Sequence, residues 1–261
     1  MTIEIGLGML VGIVLALTGA GGGILTVPLL IFMVGLDLPQ AAPIGLMAVG
    51  LAAWIGAIIG LRDGVVRYKA AALMACCGVL LAPVGVWTAG RVEHNVLAVI
   101  FAMVLFWVAF NSLKRPDNSE PTTEAVPCRL NPQTGRFPWT SRCAATVAAS
   151  GALAGFLSGL LGVGGGFVLV PALSRFSDLP MRSIAATSLA VIGLVSLSGV
   201  SSAALAGSIL WAVALPFSAG AVIGMVAGRF VSAHLNGQVL QRAFGLVAAI
   251  AATALLLRVV L

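Results

Sequence analysis

The chain alternates between long apolar stretches and short polar breaks. Ile3 runs apolar to Val34, and further stretches cover Ala41 to Leu61, Ala70 to Ala89, Val96 to Leu113, Ala144 to Leu173, Ile184 to Leu205, Ile209 to Gly228 and Ala243 to Leu257. Apolar runs of about 18 residues or more read as membrane-spanning helices. The one long polar stretch, Lys114 to Arg142, holds Pro116, Pro121, Pro127, Pro132 and Pro138 among charges of both signs. It reads as a linker or loose loop. The chain therefore divides into 1–113, a linker at 114–142, and 143–261.

The two halves repeat each other. At an offset of 143, Leu10, Gly12, Leu17, Gly19, Gly21, Gly22, Gly23, Val27, Pro28 and Leu30 fall on identical residues. Leu38-Pro39 also resembles Leu179-Pro180, and Ala89-Gly90-Arg91 resembles Ala227-Gly228-Arg229. A match spread over both halves indicates duplication.

Ile3 to Val34 would make a helix about 48 Å long at 1.5 Å per residue, against a hydrocarbon core of about 30 Å. The run is too long for one upright crossing and too short for two. Gly21, Gly22 and Gly23 stand near its middle, and glycine is a poor helix former. Two half-helices meeting at the glycines solve the problem, provided protein or a water-filled cavity covers the irregular backbone. The second copy repeats the pattern at Gly164, Gly165 and Gly166.

The segments after the glycines, from Ile24 and Phe167 onward, begin helices whose first N–H groups lack intrahelical partners. Such ends favour anions, and glycine lets a ligand approach the backbone. Pro28 and Pro171 are expected within the first turns, where a missing N–H costs least. Secondary transporters place discontinuous helices of internal repeats at the midplane in this way. The competing explanation, that small residues merely let helices pack closely, is weaker for a GxGGG that recurs in two overlong runs.

Charge sets the orientation. Cytoplasmic loops collect Lys and Arg, which places the linker inside. If each glycine segment enters and returns, Arg175, Arg182, Arg229 and Arg242 join Arg62, Arg67 and Lys69 inside, leaving only Arg91 and Arg258 outside. The expected fold is an all-α integral membrane protein of two inverted repeats. Each repeat holds one broken or re-entrant hairpin and three transmembrane helices, and both termini are extracytoplasmic. MTIEIGLG lacks the basic n-region of a cleaved signal peptide, so the first segment is expected to remain.

Composition supports this picture. The chain is 60% hydrophobic and 8% charged, against about 25% charged in a soluble domain. The net charge of +6 forms no single patch, which excludes a nucleic-acid partner. No acidic residue lies deep in an expected helix. Intramembrane carboxylates mark proton relays, so the anion's own gradient or the membrane potential is the expected driving force. No metal or cofactor is expected, since the four cysteines form no CxxC or Cys/His spacing. Cys76 and Cys77 read as small buried residues, and Cys128 and Cys143 as incidental loop thiols. His94 and His234 read as interfacial polar residues. Arg91 and Arg229 read as snorkelling anchors, with an anion lure as the alternative. Trp139 and Trp211 fit the interfacial belt, and Trp54 reads as packing.

The two GxGGGxxxVP segments, with Leu-Pro after each, resemble the sulfite exporter TauE/SafE family of bacterial membrane permeases. The second copy, GLLGVGGGFVLVPAL followed by LPMRSIAATSLAV, is the more similar. The resemblance implies a bacterial inner-membrane, multi-pass exporter of sulfite, sulfonates or related sulfur oxyanions. It also draws Thr187 and Ser188 into the candidate site as hydroxyl donors. The alternative for both is back-bonding to a carbonyl one turn earlier. PIGLMAV at 43–49 supplies no matching hydroxyls in the first copy, so the site is chemically lopsided. The candidate substrate-binding residues are Gly21, Gly22, Gly23, Ile24, Gly164, Gly165, Gly166, Phe167, Thr187 and Ser188. No nucleophile–base pair suggests an enzyme. The expected partners are the bilayer and a small anion; a homo-oligomer stays open. A channel-like facilitator or an accessory membrane subunit is the alternative function.

Overall fold

The computed structural model describes residues 2–19, 21–113, 128, 140–205, 207–232, 246, 249–250, 252–254 and 256–257. The rest of the linker, His234, Arg242, Arg258 and much of the expected last helix lie outside the described residues.

Both overlong apolar runs break at their glycines. Helix α1 (Thr2–Thr18) stops before Gly19, whose φ is 71°. Helix α2 (Gly21–Leu29) then starts and continues into a π-helical turn, Leu30–Val34. It folds back on α1: a Cβ on Gly22 would stand 2.6 Å from the Val11 carbonyl and from Leu15 Cβ. In the second half, α6 (Ser141–Leu161) ends at Gly162, φ 69°, and α7 (Gly166–Phe176) follows. A Cβ on Gly165 would run into the Ala154 carbonyl, so α7 doubles back on α6. Only glycine permits these turns, because a side chain would meet backbone.

The prolines sit deeper than the sequence suggests. Since α2 starts at Gly21 and α7 at Gly166, Pro28 and Pro171 lie inside these helices. Each removes an interior donor, to the carbonyls of Ile24 and Phe167. The π-turn at Leu30–Val34 directly follows Pro28 and reopens the helical register.

The remaining described helices are α3 (Leu38–Arg62), α4 (Tyr68–Ala89), α5 (His94–Leu113), α8 (Met181–Leu205) and α9 (Trp211–Ser232). Their apolar side chains fix their burial. Among the described residues, five helices are long and apolar enough to cross a membrane: α3, α4, α6, α8 and α9. Leu80, Phe106, Phe110, Leu215, Ile223 and Phe230 are exposed on the outside of the bundle, as lipid contact requires.

Backbone-to-backbone packing joins the halves. Gly8 and Gly12 of α1 abut Phe217 and Ala221 of α9; Gly151 and Gly155 of α6 abut Met74 and Gly78 of α4. In both pairs the residue numbers rise together, so the helices run parallel. Here the small residues do act as packing surfaces. Across the centre α3 and α8 run antiparallel, with Gly50 against Ser196 and Gly193 against Trp54.

These packings reveal a register that sequence matching blurred. Starting positions of α3 and α8, and of α4 and α9, differ by 143 throughout, with equal lengths of 25 and 22 residues. Exchanging the halves maps the helix contacts onto themselves: α1 on α9 becomes α6 on α4, and α3 on α9 becomes α8 on α4. Leu38-Pro39 therefore does not correspond to Leu179-Pro180, nor Arg91 to Arg229. The position equivalent to Arg229 is Val86. The Leu-Pro and Ala-Gly-Arg matches lie two and five positions off that register.

Helix directions gather the charges. The linker leaves α5 and enters α6 at the end where α3 and α7 finish, α4 and α8 begin, and α9 finishes. Arg62, Arg67, Lys69, Arg142, Arg175, Arg182 and Arg229 lie there; Arg91 lies at the other end, stacked 3.6 Å from the Trp87 ring. Asp63 ties this end together. Its Oδ2 accepts from Arg182 at 3.1 Å and from Arg229 at 3.0 Å, and Arg229 also donates to the Gly56 carbonyl. Arg229 thus clasps α9 to the end of α3.

The linker is anchored at the same end. Cys128 and Cys143 form a disulfide, with Cα atoms 5.1 Å apart. The Cys128 N–H donates to the Phe176 carbonyl at 3.1 Å. The pair is therefore a clamp between linker, α6 and the end of α7, not two incidental thiols. Cys76 is exposed and Cys77 half-buried, so neither is the buried filler expected.

Candidate functional site

The two breaks meet in the interior. Gly22, Gly23, Ile24, Gly164, Gly165, Gly166, Phe167, Thr187 and Ser188 are all buried. Gly21 opens α2, and its surroundings lie outside the described residues. A Cβ on Gly23 would strike the Val163 carbonyl, so the first break touches the second directly. Each break also leans on the other half: Gly19 against Ala185 of α8, Gly162 against Ala42 of α3. The two candidate clusters, far apart in sequence, are thus one place in space.

Helix α7 presents the clearer N-terminus. Gly164 and Gly165 have φ of 76° and 66°, and Val168 and Leu169 donate to the Gly165 carbonyl at 3.1 and 3.4 Å. The amides of Gly166 and Phe167 precede them and have no intrahelical acceptor. The positive end of the α7 dipole faces the same way.

The hydroxyls divide into three kinds. Thr26 back-bonds to the Gly22 carbonyl at 2.8 Å, which holds the first turn of α2. Thr187 accepts from the Arg67 amide at 3.1 Å. That contact pins the α3–α4 loop to α8, a role outside both sequence alternatives. Ser188 is fully buried, and its hydroxyl has no partner among the described residues. The equivalent position on α3, Gly45, faces Thr26 and the Gly162 carbonyl. Ser158, Ser196 and Ser218 are likewise buried and unpartnered. Ser196 and the Asp63 clasp escaped the sequence reading because a helical serine or a terminal carboxylate looks the same whatever it faces.

The fold defines a class first: a helical membrane protein in which two broken hairpins meet between two long crossing helices, the discontinuous-helix plan of membrane transporters. The family model for the sulfite exporter TauE/SafE family matches residues 4–255, and the chain belongs to that family. It is 28% identical over 251 residues to a probable membrane transporter protein of Xylella fastidiosa (strain Temecula1), covering 95% of this chain and 91% of that protein. It is 27% identical over 240 residues to the probable membrane transporter protein YunE of Bacillus subtilis, covering 88% of each. No solved structure matches the chain.

Proposed function

We propose that this protein exports small sulfur-containing anions, such as sulfite or organosulfonates, across the bacterial inner membrane. The anion is held at the midplane by the helix ends that follow the two GxGGG segments. Gly21, Gly22, Gly23 and Ile24 form one wall, and Gly164, Gly165, Gly166 and Phe167 the other. Ser188 supplies a hydroxyl, and Thr187 positions the adjoining loop through Arg67. The observation that carries this reading is the direct meeting of Gly23 with the Val163 carbonyl in a buried interior. Packing alone would not require two helix starts at one point. The substrate class is inferred from membership in the family.

Flux into proteoliposomes tests the reading. Sulfite, sulfate, thiosulfate, taurine and sulfoacetate are compared. Saturable uptake of sulfite or a sulfonate is expected, accelerated by a potential positive on the receiving side. Unsaturable conductance would identify a channel-like facilitator, and no flux at all an accessory subunit.

The same reading includes orientation: two inverted repeats, a cytoplasmic linker and extracytoplasmic termini. The basic residues gathered at the linker end support it. Phosphatase fusions after Leu261 should be active and fusions within the linker inactive. An inactive C-terminal fusion overturns this orientation.

A further inference from the structure

The lopsided hydroxyl content has a sharper form than Thr187 and Ser188 suggested. Ser196 lies on α8, near the centre of its crossing with α3, and is only 1% exposed. Its hydroxyl has no hydrogen-bond partner among the described residues. Ser201 and Ser202, on the same helix, bond back to the Leu197 and Ser198 carbonyls. Ser196 does not, although the same bond is open to any helical serine. A buried hydroxyl without a partner is costly, so in this rotamer the hydroxyl stands free to donate to a bound acceptor.

Its direction indicates where that acceptor would be. The Ser196 oxygen stands 3.2 Å from the point where a Gly50 Cβ would lie and 3.8 Å from that of Gly164. Gly164 immediately precedes Gly165, the N-cap of α7. The hydroxyl thus lies beside the loop that leads into α7, next to Ile192 and Val49, which also border Gly164. One turn away on the same crossing, Trp54 lays the pyrrole edge of its indole over Gly193, with Nε1 3.3 Å from that residue's Cβ position. The indole N–H is a donor only.

We propose that Ser196 and Trp54 are the side-chain donors of the anion site and set its preference for an oxyanion. This rests on the transport function proposed above and deepens it. The amides of α7 take one face of the anion, and the hydroxyl and indole N–H meet the oxygens on the α3–α8 side. An anion carrying several acceptor oxygens satisfies donors from two directions at once, which a halide cannot do as well. The equivalent of Ser196 in the first half is Ala53, fully buried and apolar, and that of Trp54 is Leu197. The site is therefore single and lies off the axis relating the halves, on the α7 side.

The test uses the purified full-length protein, with sulfite as the probe and two readouts. Ser196→Ala should raise the KM for sulfite flux about tenfold, the loss of about one charge-assisted hydrogen bond, with its melting temperature without ligand no lower than wild type. It should also shift the sulfite concentration needed for a given thermal stabilisation about tenfold upward. Trp54→Phe keeps the ring, loses the N–H, and should behave alike. Ser218→Ala removes another buried unpartnered hydroxyl, on α9, and should leave KM unaltered. An unchanged KM and intact sulfite stabilisation in Ser196→Ala overturn the proposal while leaving transport standing. A wild type that neither transports nor is stabilised by sulfite or any sulfonate overturns the functional reading and this one with it.

Discussion

Gly165→Ala should strip the protein of transport and lower its melting temperature well below that of Gly35→Ala. Two costs add. The backbone at Gly165 is left-handed, φ 66°, which penalises an L side chain by about 1–2 kcal/mol. The new methyl would also stand inside the carbonyl of Ala154 on α6. Overpacking typically costs about 1–3 kcal/mol, and here the obstacle is backbone, which cannot rotate away. Gly35 separates the two terms. Its φ is 76°, yet nothing lies within 4 Å of a Cβ there. Gly35→Ala should therefore show strain alone, a shift of a few degrees, and should keep its flux. Melting curves in detergent, followed by flux, make the comparison. If Gly165→Ala melts no lower than Gly35→Ala, the hairpin does not press on α6 as described.

The second large effect concerns the parallel helix pairs. Gly12→Leu and Gly155→Leu, at positions 143 apart, should each prevent accumulation of folded protein. A Cβ at Gly12 meets the Ala221 carbonyl of α9; one at Gly155 meets the backbone of Gly78 on α4. Neither helix can yield, because close backbone approach is what holds both pairs. In lipid there is little hydrophobic drive to bring helices together, so packing contact carries the association. Gly6→Leu is the control: it sits on α1 with nothing within 4 Å and faces outward. Its yield on size-exclusion chromatography should match wild type. Equal loss from the two inner glycines supports a shared packing plan for the halves. A folded, active Gly12→Leu would falsify the α1–α9 contact.

Much of the fold was legible because lipid simplifies the code. Long apolar runs and few charges specify helices with little competition from soluble alternatives. The glycine breaks were also legible, since a 32-residue apolar run from Ile3 to Val34 cannot be reconciled with bilayer thickness as one upright helix. Pairing and direction were not so accessible. Matching Arg91 with Arg229 relied on tripeptide likeness, whereas backbone contacts hold a constant register and give the Arg229 position a valine counterpart. The Cys128–Cys143 pair gave no sign in spacing, because a disulfide is decided by where a linker docks.

The sequence by itself determined a helical membrane protein with a duplicated body and two snapped hairpins, because periodicity, length and glycine chemistry are local properties. Only the tertiary structure decided that the two breaks touch through Gly23 and Val163, that Thr187 serves a loop, and that Ser196 is buried beside Gly50 and Gly164 with no partner among the described residues. Those are relations between distant segments, fixed by which backbones can approach closely, and one strand of letters carries no measure of that approach.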